Sequence, residues 1–163
     1  MKTSPKGKHL AGIVPVSGKA NILSMPWPDC LQPIGDDFTL VERSVYECAL
    51  AGCDSIWLVC NDDCSPLVRE RVGDYILDPE IFSRWHFLRK KNDHKKYIPI
   101  FYTPIMQKDR ERRDSLGWSV LHGALTAFTI SDNISKWARP SKYFVSFPYG
   151  VYDPRIVAPY RTE

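Results

Sequence analysis

Apolar runs and helix-period segments alternate in the first part of the chain. Residues 10–16, LAGIVPV, form an apolar run bounded by a Ser-Gly pair, and such a run predicts a buried strand. Residues 39–52 repeat apolar side chains at three- and four-residue spacing, which predicts a helix. Thr39 is a suitable N-cap for this helix, and Gly52 is a natural stop.

A second strand and a second helix follow in the same order. Residues 55–60, SIWLVC, are apolar almost throughout and predict another buried strand. Residues 61–63, NDD, offer caps for a helix that the apolar spacing extends to Ile76. This succession of strand, helix, strand and helix predicts an α/β domain with parallel strands joined by right-handed crossovers.

The second half of the chain is less regular but continues the pattern. Two further strands are predicted at 98–103, IPIFYT, and at 143–147, YFVSF. Between them lie a charged loop at 107–114 and a helix at 117–130. An Asp-Pro pair at 153–154 signals the start of another helix, because Pro is favoured at the first helical position. The helix at 117–130 has one apolar face, made of Val120, Leu121, Ala124, Leu125 and Phe128.

Composition indicates a globular domain and gives no sign of nucleic-acid binding. The chain has 163 residues, of which 44% are hydrophobic and 25% charged. These values are typical of one soluble domain. The net charge of +3 does not by itself predict a nucleic-acid partner. Residues 83–97 are basic with interleaved aromatic residues, and a solvated loop or hairpin edge is favoured there over an anion-binding patch.

The sequence indicates a cytoplasmic protein with reduced cysteines. No apolar stretch approaches the roughly 20 residues that a membrane-spanning helix needs. The basic N-terminus is not followed by the sustained apolar region of a signal peptide. The five Cys form an odd set, which fits free thiols better than a disulfide framework. Cys60 and Cys64 have the spacing of a ligand pair, but nothing completes a metal site, and we predict none there.

Several short phrases occur in an order that resembles a known family. These are Gly18 after the first strand, PDCLQPIG at 28–35, LVER at 40–43, AGCDSI at 51–56, LGWS at 116–119, and the strand at 143–147. Their order and spacing resemble the N-terminal half of the nucleotidyltransferases that make nucleotide sugars. That half has a Rossmann-like αβα sandwich with a mostly parallel sheet, related to the GT-A glycosyltransferases.

The resemblance implies a nucleotide site at the end of the first strand. Ser17, Gly18, Lys19 and Asn21 would hold the phosphates, and Gly117 would admit the base. The implied ligand is a nucleoside triphosphate or a nucleotide sugar, with a sugar phosphate as acceptor if a nucleotidyl group is transferred. The implied cofactor is Mg²⁺ bound with the nucleotide. Residues 1–163 would be a single domain, the front part of a longer chain, and neither a membrane nor nucleic acid is an expected partner.

The positions that carry the family's chemistry are substituted in this chain. Ala20 stands where the family's loop has its second Gly, and Ile22 where the loop has its Arg. Asp29 replaces a Lys, and residues 148–149, Pro-Tyr, stand where an Asp holds the metal ion. Nucleotidyl transfer depends on positioning and on neutralising negative charge. These losses predict weak or absent transfer, and we assign no catalytic residue.

Three hypotheses from different classes remain open. The first is a divergent nucleotidyltransferase whose missing positive charge comes from the 107–114 loop. The second is an inactive relative that serves as a binding or regulatory module. The third is a GT-A-like glycosyltransferase fragment or an unrelated α/β interaction protein. A P-loop is rejected, because Ala20 follows Gly18-Lys19 where Ser or Thr is required. His122 has no partner at a catalytic spacing, and a structural role is favoured. The sequence leaves the oligomeric state open.

Overall fold

A five-stranded sheet forms the centre of the molecule. The computed structural model describes residues 9–17, 24–80, 97–110, 115–136 and 138–161. In chain order the strands are β1 (His9–Pro15), β2 (Pro33–Gly35), β3 (Phe38–Thr39), β4 (Ser55–Asn61), β5 (Tyr75–Leu77), β6 (Tyr97–Ile105) and β7 (Pro140–Val145). The helices are α1 (Leu40–Leu50), α2 (Ser65–Val72), α3 (Gln107–Arg110) and α4 (Leu116–Ile134), and there are 3-10 helices at Asp29–Leu31 and Pro154–Tyr160.

The strand order of the central sheet is β5-β6-β4-β1-β7. The pairs β6–β4, β4–β1 and β1–β7 are parallel, and only β5 runs antiparallel to its neighbour. Pro15 pairs with Val59 on one side of β1, and Ile13 pairs with Val145 on the other. The chain therefore builds outward from β1 in one direction and then returns to place β7 on its opposite side.

Helices cover both faces of the sheet, so the molecule has two cores. On one face α1 and α2 pack against the sheet, with Val45 and Val68 among the buried residues. On the other face α4 packs against Trp57 and Val59, with Ala127 in the contact. This arrangement confirms the predicted fold class, a Rossmann-like αβα sandwich with a mostly parallel sheet.

Helix α1 begins and ends where the sequence predicts. The Thr39 hydroxyl and the Glu42 carboxylate form a capping box, in which each accepts a main-chain N–H from the other residue. Gly52 follows the helix with a φ of +82°, a conformation that glycine adopts without the Cβ penalty. The Cys53 N–H donates to the Cys48 carbonyl at 3.1 Å, and the Gly52 N–H to that of Ala49 at 3.1 Å. This pair of bonds is a Schellman motif.

Helix α2 is shorter than predicted. It ends at Val72, and Ile76 lies in β5 instead. Gly73 has a φ of +82° and ends the helix, after which the chain pairs antiparallel with β6. The predicted NDD cap is also wrong, because the N-cap position falls on Cys64.

The long helix α4 meets the sheet through small residues. The residues buried on it are Ser119, Gly123, Ala127 and Ser131. Leu121, Leu125 and Phe128, from the apolar face seen in the sequence, are exposed. A Cβ added at Gly123 would lie 2.6 Å from Val59 Cγ2, so the helix approaches the sheet closely at that point. The buried face is therefore the one whose small residues let the helix lie close to the sheet, and not the one with the larger apolar side chains.

Most remaining elements are confirmed, with shifted ends. The strands predicted at 98–103 and 143–147 are β6 and β7, and Asp153 caps the 3-10 helix that follows it. Part of the predicted charged loop, residues 107–110, is the short helix α3. The hairpin of β2 and β3 was not predicted, because its strands are too short to show a period.

The basic segment predicted as a loop or hairpin edge lies outside the described residues, except for Tyr97 in β6. Residues 111–114 of the predicted charged loop also lie outside them. Among the described helices, none combines the length and the apolar character needed to cross a membrane.

Candidate functional site

The carboxyl ends of β1 and β7 lie side by side at one edge of the sheet, which we call the carboxyl edge. The connection after β1 leads to α1 on one face, and α4, which precedes β7, lies on the other face. The chain thus changes direction between these two strands. In open parallel sheets, ligands bind in the crevice outside the carboxyl ends of the strands at such a switch point. The fold therefore makes this crevice the first candidate site.

Ser17 joins the end of β1 to the start of α4. Its N–H donates to the Val59 carbonyl at 2.9 Å, which keeps it in line with the sheet. Its Oγ lies 2.8 Å from Ser119 Oγ, in the first turn of α4. Ser115 caps that helix, accepting the Trp118 N–H on its Oγ at 3.2 Å. The structure thus brings Ser17 to the first turn of the helix that carries Gly117.

Gly117 lies in open space as far as the described residues go. A Cβ added there would meet no heavy atom of those residues within 4 Å. Packing against the described part of the chain therefore does not require its lack of a side chain, unlike that of Gly123. Gly18, Lys19 and Asn21, the other predicted site residues, lie outside the described residues.

The loop after β7 is held by a buried ion pair on α1. Arg43 Nη1 lies 3.3 Å from Glu47 Oε2, and the two side chains are only 1% and 2% exposed. Arg43 Nη2 donates to the Phe147 carbonyl at 2.7 Å. The Ser146 and Tyr152 hydroxyls donate to Glu47, and the Tyr152 ring lies under the Arg43 guanidinium. This network fixes the segment that follows β7 at the carboxyl edge.

Two of the substituted family positions lie close together beside this loop. Asp29 is 6% exposed, so its carboxylate is largely buried and does not face open solvent. Burial raises the pKa of the Tyr149 hydroxyl, and the neighbouring Cys30 thiol and Asp29 carboxylate raise it further. The Asp29 and Tyr149 side chains, at two positions that the sequence resemblance singled out, are thus electrostatic neighbours.

Arg110 is a cation near the carboxyl edge, beyond β4 and β6. Its guanidinium contacts Asp62, and its Nη1 donates to Asp63 Oδ2 at 2.8 Å. The hydrogen bond from Arg110 lowers the pKa of Asp63. The charge that the 107–114 segment was expected to supply is therefore balanced, at Arg110, by two carboxylates.

Comparison with known proteins gives a likeness of fold. No family model matches the sequence, and no curated protein matches it. Among the solved structures that resemble the chain is UDP-glucose pyrophosphorylase complexed with UDP-glucose, with 20% sequence identity and a TM-score of 0.42. The match covers 72% of this chain and 41% of that protein, so it spans less than half of that protein's length.

Sequence reasoning missed two parts of the site. Ser119 was not singled out, because its contact with Ser17 joins residues 102 positions apart. The Arg43–Glu47 pair was also missed, although its four-residue spacing on a predicted helix is a signal of an ion pair. Neither the contact with Phe147 nor the burial of the pair is visible in that spacing.

Proposed function

We propose that the crevice between the ends of β1 and β7 binds a nucleoside triphosphate or a nucleotide sugar, in a nucleotidyltransferase-like domain. The observation that carries this proposal is the contact between Ser17 and Ser119 at the switch point of the sheet. It joins the loop expected to hold phosphates to the N-terminal turn of α4. Main-chain N–H groups and the helix dipole make such a turn favourable for anions.

Open space at Gly117 supports the same proposal. A base or ribose can approach the helix main chain closely where no Cβ intervenes. Lys19, with Gly18 and Asn21, would supply further donors to the phosphates, as the sequence predicts. A sugar phosphate would be the acceptor if the domain also transfers a nucleotidyl group.

The second candidate function is binding without transfer, in a regulatory or scaffold module. The Arg43 contact with the Phe147 carbonyl favours it, because the segment that holds the metal ion in the resembled family is here tied to α1. Pyrophosphate release from a nucleoside triphosphate and a sugar phosphate separates the two candidates. Release would establish transfer, and binding without release would establish a module.

A matched pair of serine variants tests the site. Ser119 and Ser131 are both buried on the same face of α4, at opposite ends of the helix. We expect Ser119→Ala to weaken nucleotide binding about tenfold, or about 1.4 kcal/mol, and Ser131→Ala to leave it unchanged. Gly117→Ala is expected to weaken binding without lowering the melting temperature.

The screen that precedes these variants is a thermal-shift series with the four common ribonucleoside triphosphates and a panel of nucleotide sugars. A ligand at 100 times its dissociation constant stabilises the fold by about 2.7 kcal/mol. Failure of every ligand to shift the transition at millimolar concentration, with or without Mg²⁺, would overturn the proposed function.

A further inference from the structure

Helix α4 carries its large apolar side chains on the side away from the sheet. The residues that it buries against the sheet are small: Ser119, Gly123, Ala127 and Ser131. Leu121, Leu125 and Phe128 lie on the outer side and are 55%, 57% and 38% exposed. A surface helix of a monomeric protein normally presents polar side chains to solvent and apolar ones to the core. The reversed arrangement on α4 is typical of a surface that another protein surface covers.

A tyrosine of the sheet extends this apolar stripe. Tyr143 of β7 pairs with Ala11 of β1, which belongs to the core under α4, so Tyr143 lies on the same face of the sheet as the helix. Its hydroxyl donates to the Ala124 carbonyl at 3.4 Å, and the residue is 41% exposed. Ala124 lies one helical turn from Leu121 and from Phe128, so the tyrosine adjoins the stripe. The outer surface of α4 is the name we give to Leu121, Leu125, Phe128 and Tyr143.

The spacing of the stripe is that of a seam between two helices. Leu125 stands four residues after Leu121 and three before Phe128, and apolar residues at alternating three- and four-residue spacing form the contact line of paired helices. In an antiparallel pair with a twofold axis beside Leu125, that residue meets its own copy. Leu121 of each helix then lies next to Phe128 of the other. Large side chains face large side chains along the seam, so the stripe is complementary to itself.

The polar residues beside the stripe are compatible with contact between two copies. Arg139 lies over the Phe128 ring at 4.8 Å and forms an ion pair with Asp132, and this pair carries no net charge. The flank of α4 that points away from β7 is polar. It carries His122, Thr126, Thr129 and Asn133. An apolar centre with a polar margin is the usual composition of a protein interface.

The outer surface of α4 has the area that a small dimer needs. A whole aromatic side chain buries about 150–250 Å² when it is covered, and a leucine somewhat less. With their exposed fractions, the four side chains offer roughly 350 Å² of apolar area. The smallest stable interfaces take about 600 Å² from each partner, and about 65% of a homodimer interface, or roughly 390 Å², is apolar. The outer surface thus supplies most of the apolar area of one half of such an interface.

We propose that two copies of this chain associate through the outer surface of α4, with their α4 helices packed antiparallel about a twofold axis. The two sheets then lie on the outside, and the two helices lie between them at an interaxial distance of about 8–10 Å. The small area makes the dimer reversible, with a dissociation constant in the micromolar range. This inference does not rest on the proposed function, and its tests use no nucleotide.

Sedimentation equilibrium of the full chain, from about 1 to about 300 µM, tests the association. We expect a monomer–dimer equilibrium, and we expect Leu125→Glu to raise the dissociation constant at least about tenfold. Leu67→Glu is the control, because Leu67 is also 55% exposed but lies on α2, and it should change the constant by less than about twofold. Circular dichroism checks that both variants keep the fold. A chain that stays monomeric throughout, or equal effects of the two variants, would overturn the proposal.

Chemical cross-linking tests the antiparallel arrangement. Cys64 is the most exposed of the five thiols, so both variants are made in a Cys64→Ser background. Leu125→Cys places a thiol beside the twofold axis, and Leu67→Cys places one at a matched position away from it. A bismaleimide with a short spacer joins two thiols of different chains only when these lie close together. We expect a covalent dimer from Leu125→Cys and none from Leu67→Cys at the same concentration. A yield from Leu125→Cys no higher than that from Leu67→Cys would contradict the proposal.

Discussion

At the scale of single residues, Gly12 is a position with no room for a side chain. A Cβ added there would lie 2.9 Å from Cys48 Sγ and 3.1 Å from Cys53 Sγ. These two cysteines are the residues that the Schellman motif at the end of α1 brings together. The absence of a side chain at Gly12 is therefore what lets the C-terminal end of α1 pack on β1.

We expect Gly12→Ala to lower the free energy of unfolding by about 1–3 kcal/mol, because the added methyl group overpacks this contact. In the Gly12→Ala/Cys48→Ala variant the methyl group gains the space of the missing sulfur, so the two costs are not additive. Urea unfolding of the four proteins in the cycle measures the coupling. Gly35→Ala is the control, since the nearest atom of the described residues to its Cβ would be 4.0 Å away. Costs that add within about 0.5 kcal/mol would contradict the prediction.

His9 gives the fold a dependence on pH at the start of β1. Its Nε2 lies 3.0 Å from Ser55 Oγ. Burial lowers the pKa of His9 below its ordinary value of 6.5, against the opposing effect of Asp54. The unfolded chain therefore takes up the proton more readily than the folded chain. Stability is full above pH 6.5 and is lost as the pH falls below 6.5 toward the folded pKa.

The prediction for His9 is a fall in the free energy of unfolding between about pH 7.5 and pH 5.5 that is smaller in His9→Gln. Gln keeps a side-chain donor and acceptor near Ser55 but does not titrate. Urea unfolding at half-unit steps of pH measures both slopes. Identical slopes for the two proteins would show that another group carries the dependence.

At the scale of elements, helix α1 fixes the position of the loop after β7. Arg43 and Glu47 stand one turn apart on the buried side of the helix, and together they contact Ser146, Phe147 and Tyr152. Removing one partner of a buried ion pair leaves the other charge uncompensated. The pair therefore holds the loop in place and makes this contact sensitive to substitution.

We expect Arg43→Met to lower the free energy of unfolding by about 3–5 kcal/mol, and Arg43→Met/Glu47→Leu to recover much of that loss. Thermal and urea unfolding measure the series. Arg155→Met, which breaks the exposed pair with Asp153, is the control and is expected to change stability little. A double variant less stable than Arg43→Met would contradict this account.

The elements also show what a sequence can predict. Strand β1 and helix α1 were predicted because an apolar run and local caps, Thr39 and Gly52, are sufficient to define them. Helix α4 was predicted, but not its buried face, because the spacing of Leu121, Leu125 and Phe128 does not say which side meets the sheet. Gly123 decides that side through its distance to Val59, a contact between residues distant in sequence.

The site followed the same rule. Ser17 was named as a phosphate-binding residue because the family resemblance implies a phosphate loop directly after the first strand, and that role stays a prediction. Its contact with Ser119 depends on the return of the chain from β6 to β7 through α4, which no local pattern records. The ion pairs of Asp63 with Arg110 and of Glu47 with Arg43 likewise depend on distances in the folded chain. The sequence shows these charged residues, but it does not show how they contact the segments around the site.

At the scale of the whole molecule, the cysteines are concentrated in one of the two cores. Cys30, Cys48, Cys53 and Cys60 are buried on the face covered by α1 and α2, and Cys64 is partly exposed beside them. Burial raises the pKa of Cys30 and of Cys60 to about 12. Since the thiolate is the reactive form, these groups are protected by both burial and protonation.

We therefore expect a thiol reagent such as DTNB at pH 8 to modify Cys64 first and the other four cysteines only when the protein opens. Loss of the fast phase in Cys64→Ser would assign that phase to Cys64.

The slow phase, measured in increasing urea, gives the free energy of opening of the core that contains the buried thiols. Both cores share the same sheet, so we expect the loss of α1 and α2 from one face to destabilise the sheet on which α4 packs. The free energy from the slow phase should then equal the global value from circular dichroism. A slow phase with a clearly smaller free energy would mean that α1 and α2 detach while α4 stays on the sheet. Reaction of all five thiols at one fast rate in native buffer would contradict the burial of the four cysteines.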